Sequence, residues 1–346
     1  MKKYTLKIIE IRQETIDAST LIFKQPALKK IKYHAGQYLT LIFHINGRRY
    51  IRPYSFSSSP SMDANLEITV KRVQGGIVSN HIADCLKVDD LVEVMEPMGH
   101  FVLNTNLITT DTHVVLWGAG SGITPLISII KEALNQNLSK QVTLVYGNRN
   151  QGNVIFKDRI DSLKAAYNNF TSWNFHTKAI ISEINSKIVE GRIDPAKVLS
   201  VMREEGDLNK TIHYICGPLG LKESVKTALL DLGVKPQNVL TEDFEIVRDA
   251  AEFENISTQM VTVIKSGVKF SVEVIKGKSI LEASLDAMID LSYSCQTGNC
   301  SVCKAELIKG EVKMIGLTTR PQELNGTECL LCCSFPLANN VEVAVP

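Results

Sequence analysis

Six of the eight cysteines in this 346-residue chain lie at or beyond position 295, at 295, 300, 303, 329, 332 and 333; the others are Cys85 and Cys216. A disulfide-stapled chain spreads its cysteines through the fold, whereas clustering in a chain without an evident export signal points to metal ligation. Three stand in Cys295-Gln-Thr-Gly-Asn-Cys300-Ser-Val-Cys303, with gaps of four and two residues, and Cys332 follows after 28 more. One loop can bring three thiolates onto a shared centre only by wrapping it, and Gly298 supplies backbone freedom for the wrap. Two other readings use the same residues. A structural zinc site would take Cys329 with Cys332 or Cys333 as a second close pair. Alternatively the cysteines are buried free thiols, although three in nine residues seldom pack as core.

Texture divides the chain. Residues 1–106 hold short strand-like runs (Tyr4–Ile11, Tyr38–Phe43, Leu66–Val73, Leu91–Met95), as expected for a small antiparallel β-barrel. Residues 107–247 alternate strands (His113–Trp117, Gln141–Tyr146, Thr211–Cys216) with helices (Pro125–Leu134, Phe156–Tyr167, Leu221–Leu232), the pattern of an α/β parallel sheet. Residues 248–259 are polar and aperiodic and read as a linker. Residues 260–346 open with a hairpin turning at Ser266-Gly267. A helix expected over Ser279–Asp290 and the cysteine loop follow, as in an α+β β-grasp domain.

A formal net charge of +1 gives no reason to expect a nucleic-acid partner. Lys7 and Glu10 interrupt any apolar leader, and Val114–Ile130 carries three glycines and Pro125, which suit a strand–turn–helix better than a membrane span. No membrane partner and a cytoplasmic location are therefore expected.

The cysteine spacing resembles the C-x4-C-x2-C…C of plant-type [2Fe–2S] ferredoxins. Cys332-Cys333-Ser-Phe-Pro336 matches that family's C-x-x-x-P with Cys332 in register. The resemblance implies Cys295, Cys300, Cys303 and Cys332 as ligands; it leaves Cys333 one residue out and Cys329 as a core thiol.

Arg52-Pro53-Tyr54-Ser55 resembles the R-x-Y-[ST] motif of the ferredoxin–NADP reductase superfamily. There the Arg neutralises a flavin phosphate, the Tyr packs on the ring and the hydroxyl lies near N5. A bidentate guanidinium suits phosphate and an aromatic face suits a flat ring. Val70-Lys71 and Gly75-Gly76-Ile-Val-Ser79 fall where this family binds the rest of the nucleotide, the glycines admitting phosphate and a hydroxyl capping the next helix. Pro97-Met-Gly99-His-Phe101 resembles the segment that closes the family's barrel. The resemblance implies FAD in preference to FMN.

Gly118-Ala-Gly120-Ser-Gly122-Ile-Thr124-Pro125 departs from G-x-G-x-x-G but resembles the glycine loop of the same superfamily. Its glycines clear space for a pyrophosphate at a helix N-terminus, with Thr124 expected as N-cap and Pro125 at the first helical position. Arg149 falls where the family contacts the adenosine ribose, which favours NADPH over NADH. Cys216-Gly217-Pro218 resembles the C-G-P bordering the nicotinamide, and Glu242-Asp-Phe244 resembles the family's E-x-F where the chain leaves the nucleotide domain, an exposed linker acid being the equal alternative for Glu242. Ser55, Cys216 and Glu242 are thus the residues implied nearest the reacting atoms.

The order of the three motif sets is similar to that of reductase components of bacterial multicomponent oxygenases. A nicotinamide delivers a hydride and an iron–sulfur cluster accepts one electron at a time, so a flavin, which exchanges either way, is implied between them. A plant-type cluster near about −400 mV can drive demanding reductions. The implied partner is a protein electron acceptor: an oxygenase component, or else a ring-hydroxylating oxygenase, a diiron desaturase or hydroxylase, or a soluble carrier. A redox carrier or sensor that does not turn over is the alternative outside enzymes.

Overall fold

The computed structural model describes residues 2–178, 188–205, 207–246, 249–317, 321 and 323–345. It divides into two compact units, Met1–Phe43 with Pro53–Glu242, and His44–Arg52 with Asp243–Pro346. The boundary positions 247 and 248 lie outside the described residues.

The first unit begins with strands β1 (Lys3–Thr15), β2 (Ala18–Phe23), β3 (Tyr38–Ile45) and β4 (Arg48–Ser55), of which residues 44–52 count with the second unit, and β5 (Leu66–Lys71), then helix α1 (Ile77–Cys85) and β6 (Leu91–Met95). They form a six-stranded sheet ordered β4-β3-β6-β1-β2-β5, with its described pairings antiparallel. The expected barrel is not fully closed. Its two edges meet just past β4, at an isolated bridge between Phe56 and Ile68. Asn46 and Gly47 both take positive φ, 51° and 75°, which suits a two-residue hairpin turn between β3 and β4.

The same unit continues with β7 (His113–Ala119), α2 (Ile123–Asn135), β8 (Gln141–Asn148), α3 (Lys157–Ala166), β9 (Phe170–His176), β10 (Ile188–Glu190), α4 (Pro195–Glu205), β11 (Thr211–Cys216), α5 (Leu219–Asp231) and β12 (Val239–Glu242). The sheet is parallel, ordered β10-β9-β8-β7-β11-β12. Alternation along β7 explains the layering. Val114 and Leu116 pack with Ile127 and Ile130 of α2, while Val115 and Trp117 pack with Val198 of α4 and Val225 of α5. Strand order reverses between β7 and β11, which creates a crevice at their carboxyl ends.

The second unit holds β13 (Gln259–Lys265), β14 (Val268–Val274), α6 (Ile280–Asp286), β15 (Lys304–Lys309), β16 (Val312–Met314), β17 (Glu328–Leu330), β18 (Ser334–Pro336) and β19 (Val341–Val345). Five strands form the order β14-β13-β19-β15-β17; β13 and β19 are parallel, and β16 pairs with β18. Within the stretch read as a linker, Phe253 and Ile256 are buried with Ile315 and Phe335. The hairpin residues 44–52 also belong to this unit. Arg48 donates to the Leu285 carbonyl at 3.2 Å, Arg49 to the Leu291 carbonyl at 2.7 Å, and the Ile51 N–H to the Tyr293 hydroxyl at 3.2 Å. No helix among the described residues is long and apolar enough to cross a membrane.

Candidate redox centres

The cysteine loop wraps because three of its residues adopt left-handed backbone: Gln296 at φ 58°, Gly298 at 80° and Ser301 at 56°. A Cβ on Gly298 would lie 2.2 Å from Leu317 Cδ2, so glycine is needed there for space as well as conformation. Cys295, Cys303 and Cys332 are buried and Cys300 is half-buried. The loop is tied to the distal cysteine by a bond from the Leu331 N–H to the Cys303 carbonyl at 3.0 Å.

The four sulfurs fall into two pairs. Cys295 interacts with Cys300, and Cys303 with Cys332. The hydrogen bond between Cys295 and Cys300 pulls the Cys295 thiol below the usual thiol range, aided by Thr297, and pushes Cys300 above it. Backbone N–H groups point at sulfur: Thr297 to Cys295 Sγ at 3.3 Å, and Cys295 to Cys300 Sγ at 3.4 Å. Among the described residues no three His, Cys, Asp or Glu side chains gather as ligands to a single ion. Two sulfur pairs with N–H donors fit a dinuclear cluster, which takes two protein ligands on each iron. Cys333, beside Cys332 and interacting with its thiol, donates to the Leu330 carbonyl at 3.5 Å, and Cys329 is buried on β17.

Arg52, Pro53 and Tyr54 are half-buried near the end of β4, and Ser55 is buried at its last position. The Arg52 guanidinium donates to the Ile51 carbonyl at 2.8 Å. Val70 and Lys71 lie at the end of β5, paired with Ser19 and Ala18. Gly75 has φ 71° and open space on its Cβ side, as a backbone that admits phosphate requires. The expected hydroxyl cap is corrected. The N-cap of α1 is Gly76 with no side-chain bond, and Ser79, one turn inside, accepts from the Val73 N–H at 3.1 Å. The serine fastens the approach loop because glycine already occupies the cap.

The glycine loop, Cys216 and Glu242 come together as one row. Cys216 on β11 is in register with Gly118 on β7 and with Glu242 on β12. A Cβ on Gly122 would lie 2.1 Å from the Cys216 carbonyl oxygen, and one on Gly217 2.8 Å from Leu221 Cδ2. Gly122 therefore clears space for the neighbouring backbone. Gly120, at φ 54° with nothing within 4 Å, is the glycine whose open side suits a ligand. The expected Thr124 cap is also corrected. Gly120–Gly122 forms a 3-10 turn running straight into α2, so Gly122 is the N-cap and Thr124 lies inside the first turn, donating to the Ser121 carbonyl at 3.0 Å. Pro125 falls one residue further in, still among positions whose N–H has no helical partner. Arg149 is exposed just past β8, and Pro218 is the N-cap of α5.

Sequence reasoning missed two sets of residues. Tyr146, buried by β8, donates its hydroxyl to the Gly120 carbonyl at 2.8 Å, and burial pushes its pKa up, which keeps it a donor. Ser128, Lys131, Glu132 and Asn135 form a polar stripe on the otherwise apolar α2, a spacing legible in the sequence though its partners were not.

Comparison with known proteins places each region. Residues 5–103 match the oxidoreductase FAD-binding domain, 116–227 the oxidoreductase NAD-binding domain and 263–337 the 2Fe-2S iron-sulfur cluster binding domain. The chain is 30% identical to a subunit of the 1,2-phenylacetyl-CoA epoxidase of Escherichia coli (strain K12), over 98% of this chain and 97% of that protein. It is also 30% identical to the ferredoxin reductase component of 3-ketosteroid-9-alpha-monooxygenase of Mycobacterium tuberculosis (strain CDC 1551 / Oshkosh), over 98% and 94%. Among solved structures it resembles phthalate dioxygenase reductase at a TM-score of 0.67 and 24% identity, covering 99% of this chain and 97% of that one.

Proposed function

Starting from the chain's membership in the iron–sulfur flavoprotein reductases, the family of its 1,2-phenylacetyl-CoA epoxidase relative, we propose that it supplies an oxygenase with electrons drawn from NAD(P)H. The protein is an oxidoreductase with FAD, NAD(P)H and a [2Fe–2S] cluster as its cofactors. Its acceptor on this reading is an oxygenase component of the phenylacetyl-CoA epoxidase kind, in the cytoplasm. The 3-ketosteroid monooxygenase relative makes a different oxygenase the second reading.

The proposed modules are residues 1–106 for FAD, 107–247 for the nicotinamide nucleotide and 260–346 for the cluster, joined by 248–259. Bound flavin would accept hydride and release electrons singly. Cys295 and Cys300 would hold one iron, and Cys303 and Cys332 the other. Arg52 would neutralise a flavin phosphate, with Tyr54 against the ring and Ser55 donating a hydrogen bond beside it. Val70, Lys71, Gly75, Gly76 and Ser79 would bind the remainder of the flavin nucleotide. Gly118, Gly120, Gly122 and Thr124 would receive the pyrophosphate, Arg149 the ribose end, and Cys216, Gly217 and Pro218 the nicotinamide; Glu242 borders the same row.

The observation that carries this reading is the pairing of four cysteine sulfurs, three of them in buried residues, in a chain that also sets Gly118, Cys216 and Glu242 abreast at a strand-order reversal. Cys300→Ser is expected to keep NAD(P)H–ferricyanide activity and lose cytochrome c reduction; equal loss of both would count against the route through the cluster. Arg149→Ala is expected to raise KM for NADPH more than for NADH in steady-state assays.

A further inference from the structure

Helix α2 carries the glycine loop at its N-terminus and, along one side, residues 128, 131, 132 and 135, spaced by three and four so that they form one stripe. All four grip residues 57–63, a segment that starts two positions after Ser55. Ser128 donates to the Ser58 carbonyl at 2.6 Å and Lys131 to the Ser57 carbonyl at 3.0 Å. Glu132 accepts from the Ser59 hydroxyl at 2.6 Å, the Ser61 hydroxyl at 2.9 Å and the Ser61 N–H at 3.1 Å. Asn135 donates to the Ser61 carbonyl at 3.2 Å. Lys131 is 2% exposed and pairs with Asp63.

The gripped segment is fixed from its other side as well. The Tyr33 hydroxyl donates to Ser58 Oγ at 2.7 Å, and Ser58 Oγ accepts from the Glu67 N–H at 3.0 Å. A buried ammonium adds less stability than an apolar side chain of its size would, but it demands its partners in one register. From the Gly122 cap to Lys131 is nine residues, about 14 Å of rigid helix.

Resting on the function proposed above, we propose that this stripe is a positioning device: α2 holds the strand ending at Ser55 at a set distance from the glycine loop, so that nicotinamide and flavin meet in reacting geometry. Lys131 is its central positioning residue and takes no part in the chemistry.

The test compares the purified holoenzyme with Lys131→Met and Lys131→Arg, and with Asn135→Ala and Ser61→Ala should Lys131→Met not fold. In stopped flow at saturating nucleotide, Lys131→Met is expected to slow flavin reduction by about 10- to 100-fold, the scale that small misplacements cost. Affinity for oxidised nucleotide and electron exit from dithionite-reduced enzyme to cytochrome c should stay unchanged. Amide hydrogen exchange in residues 57–63 should rise, Lys131→Arg should recover part of the rate, and the two milder variants should lose rate in the same direction. Wild-type reduction rates in the variants would overturn the proposal. So would a parallel loss of nucleotide affinity, flavin reduction and electron exit, which is the mark of general destabilisation. A wild-type protein that binds no flavin would bring down the functional reading itself, and the positioning role with it.

Discussion

Gly120 and Gly122 stand two residues apart and answer to different constraints. Gly122 is needed because the Cys216 carbonyl lies where its Cβ would be. Gly122→Ala is expected to cost about 1–3 kcal/mol of stability through overpacking, read as a lowered thermal midpoint, and to weaken nucleotide binding. Gly120→Ala meets open space and pays only for its left-handed backbone, about 1–2 kcal/mol. Its overlap would be with a bound ligand, so nucleotide titration should register it more than melting does. At this scale the Cys295–Cys303 loop and the glycine loop were legible as motifs because each is local in sequence. Lys131 was not, because Ser57 and Asp63 lie some seventy residues away and nothing near Lys131 announces them.

Among the elements, α6 shows what a sequence can and cannot declare. Its start was readable. Ser279 accepts from the Glu282 N–H at 3.2 Å while Glu282 accepts from the Ser279 N–H at 2.7 Å, a reciprocal cap. Ser279→Ala is expected to lower stability by about 1 kcal/mol in urea unfolding, with the denaturant slope unchanged. Its end came four residues before the expected Asp290. Met288 turns left-handed at φ 61°, and the Ile289 N–H bonds back to the Ser284 carbonyl at 3.0 Å, which carries Ile289 into the core. That C-terminal closure uses methionine where glycine is usual, so no turn residue marked it. Strands β10 and β12 escaped notice for a related reason: they are short sheet edges of three and four residues with mixed polarity. The central β7 and β11 are legible because both are short runs rich in β-branched and aromatic residues.

Over the whole molecule, the order of three modules was readable because each carries its own motif, whereas the two-segment make-up of the second unit depends on tertiary contacts alone. Acid sensitivity also belongs to this scale, since it counts protons over folded and unfolded chains. His213 is fully buried, its Nδ1 accepting from Trp117 Nε1 at 3.1 Å. Burial, with His113 adding to it, pulls its pKa down to about 3. The unfolded chain takes up that proton near the ordinary value of 6.5, while the folded chain refuses it until about 3. This contribution to stability is therefore intact above pH 6.5 and is lost as pH falls toward 3, by up to about 1.4 kcal/mol per pH unit. His213→Gln should flatten that slope in unfolding curves taken across the window; an unchanged slope would argue against it.

The guanidinium groups of Arg48 and Arg49, seated on the Leu285 and Leu291 carbonyls, set a limit on transplantation. A gene fusion that grafts only the last hundred residues onto another scaffold would leave behind the loop that closes the end of α6. A portable version of this iron–sulfur module has to bring a piece of sequence from two hundred residues upstream with it.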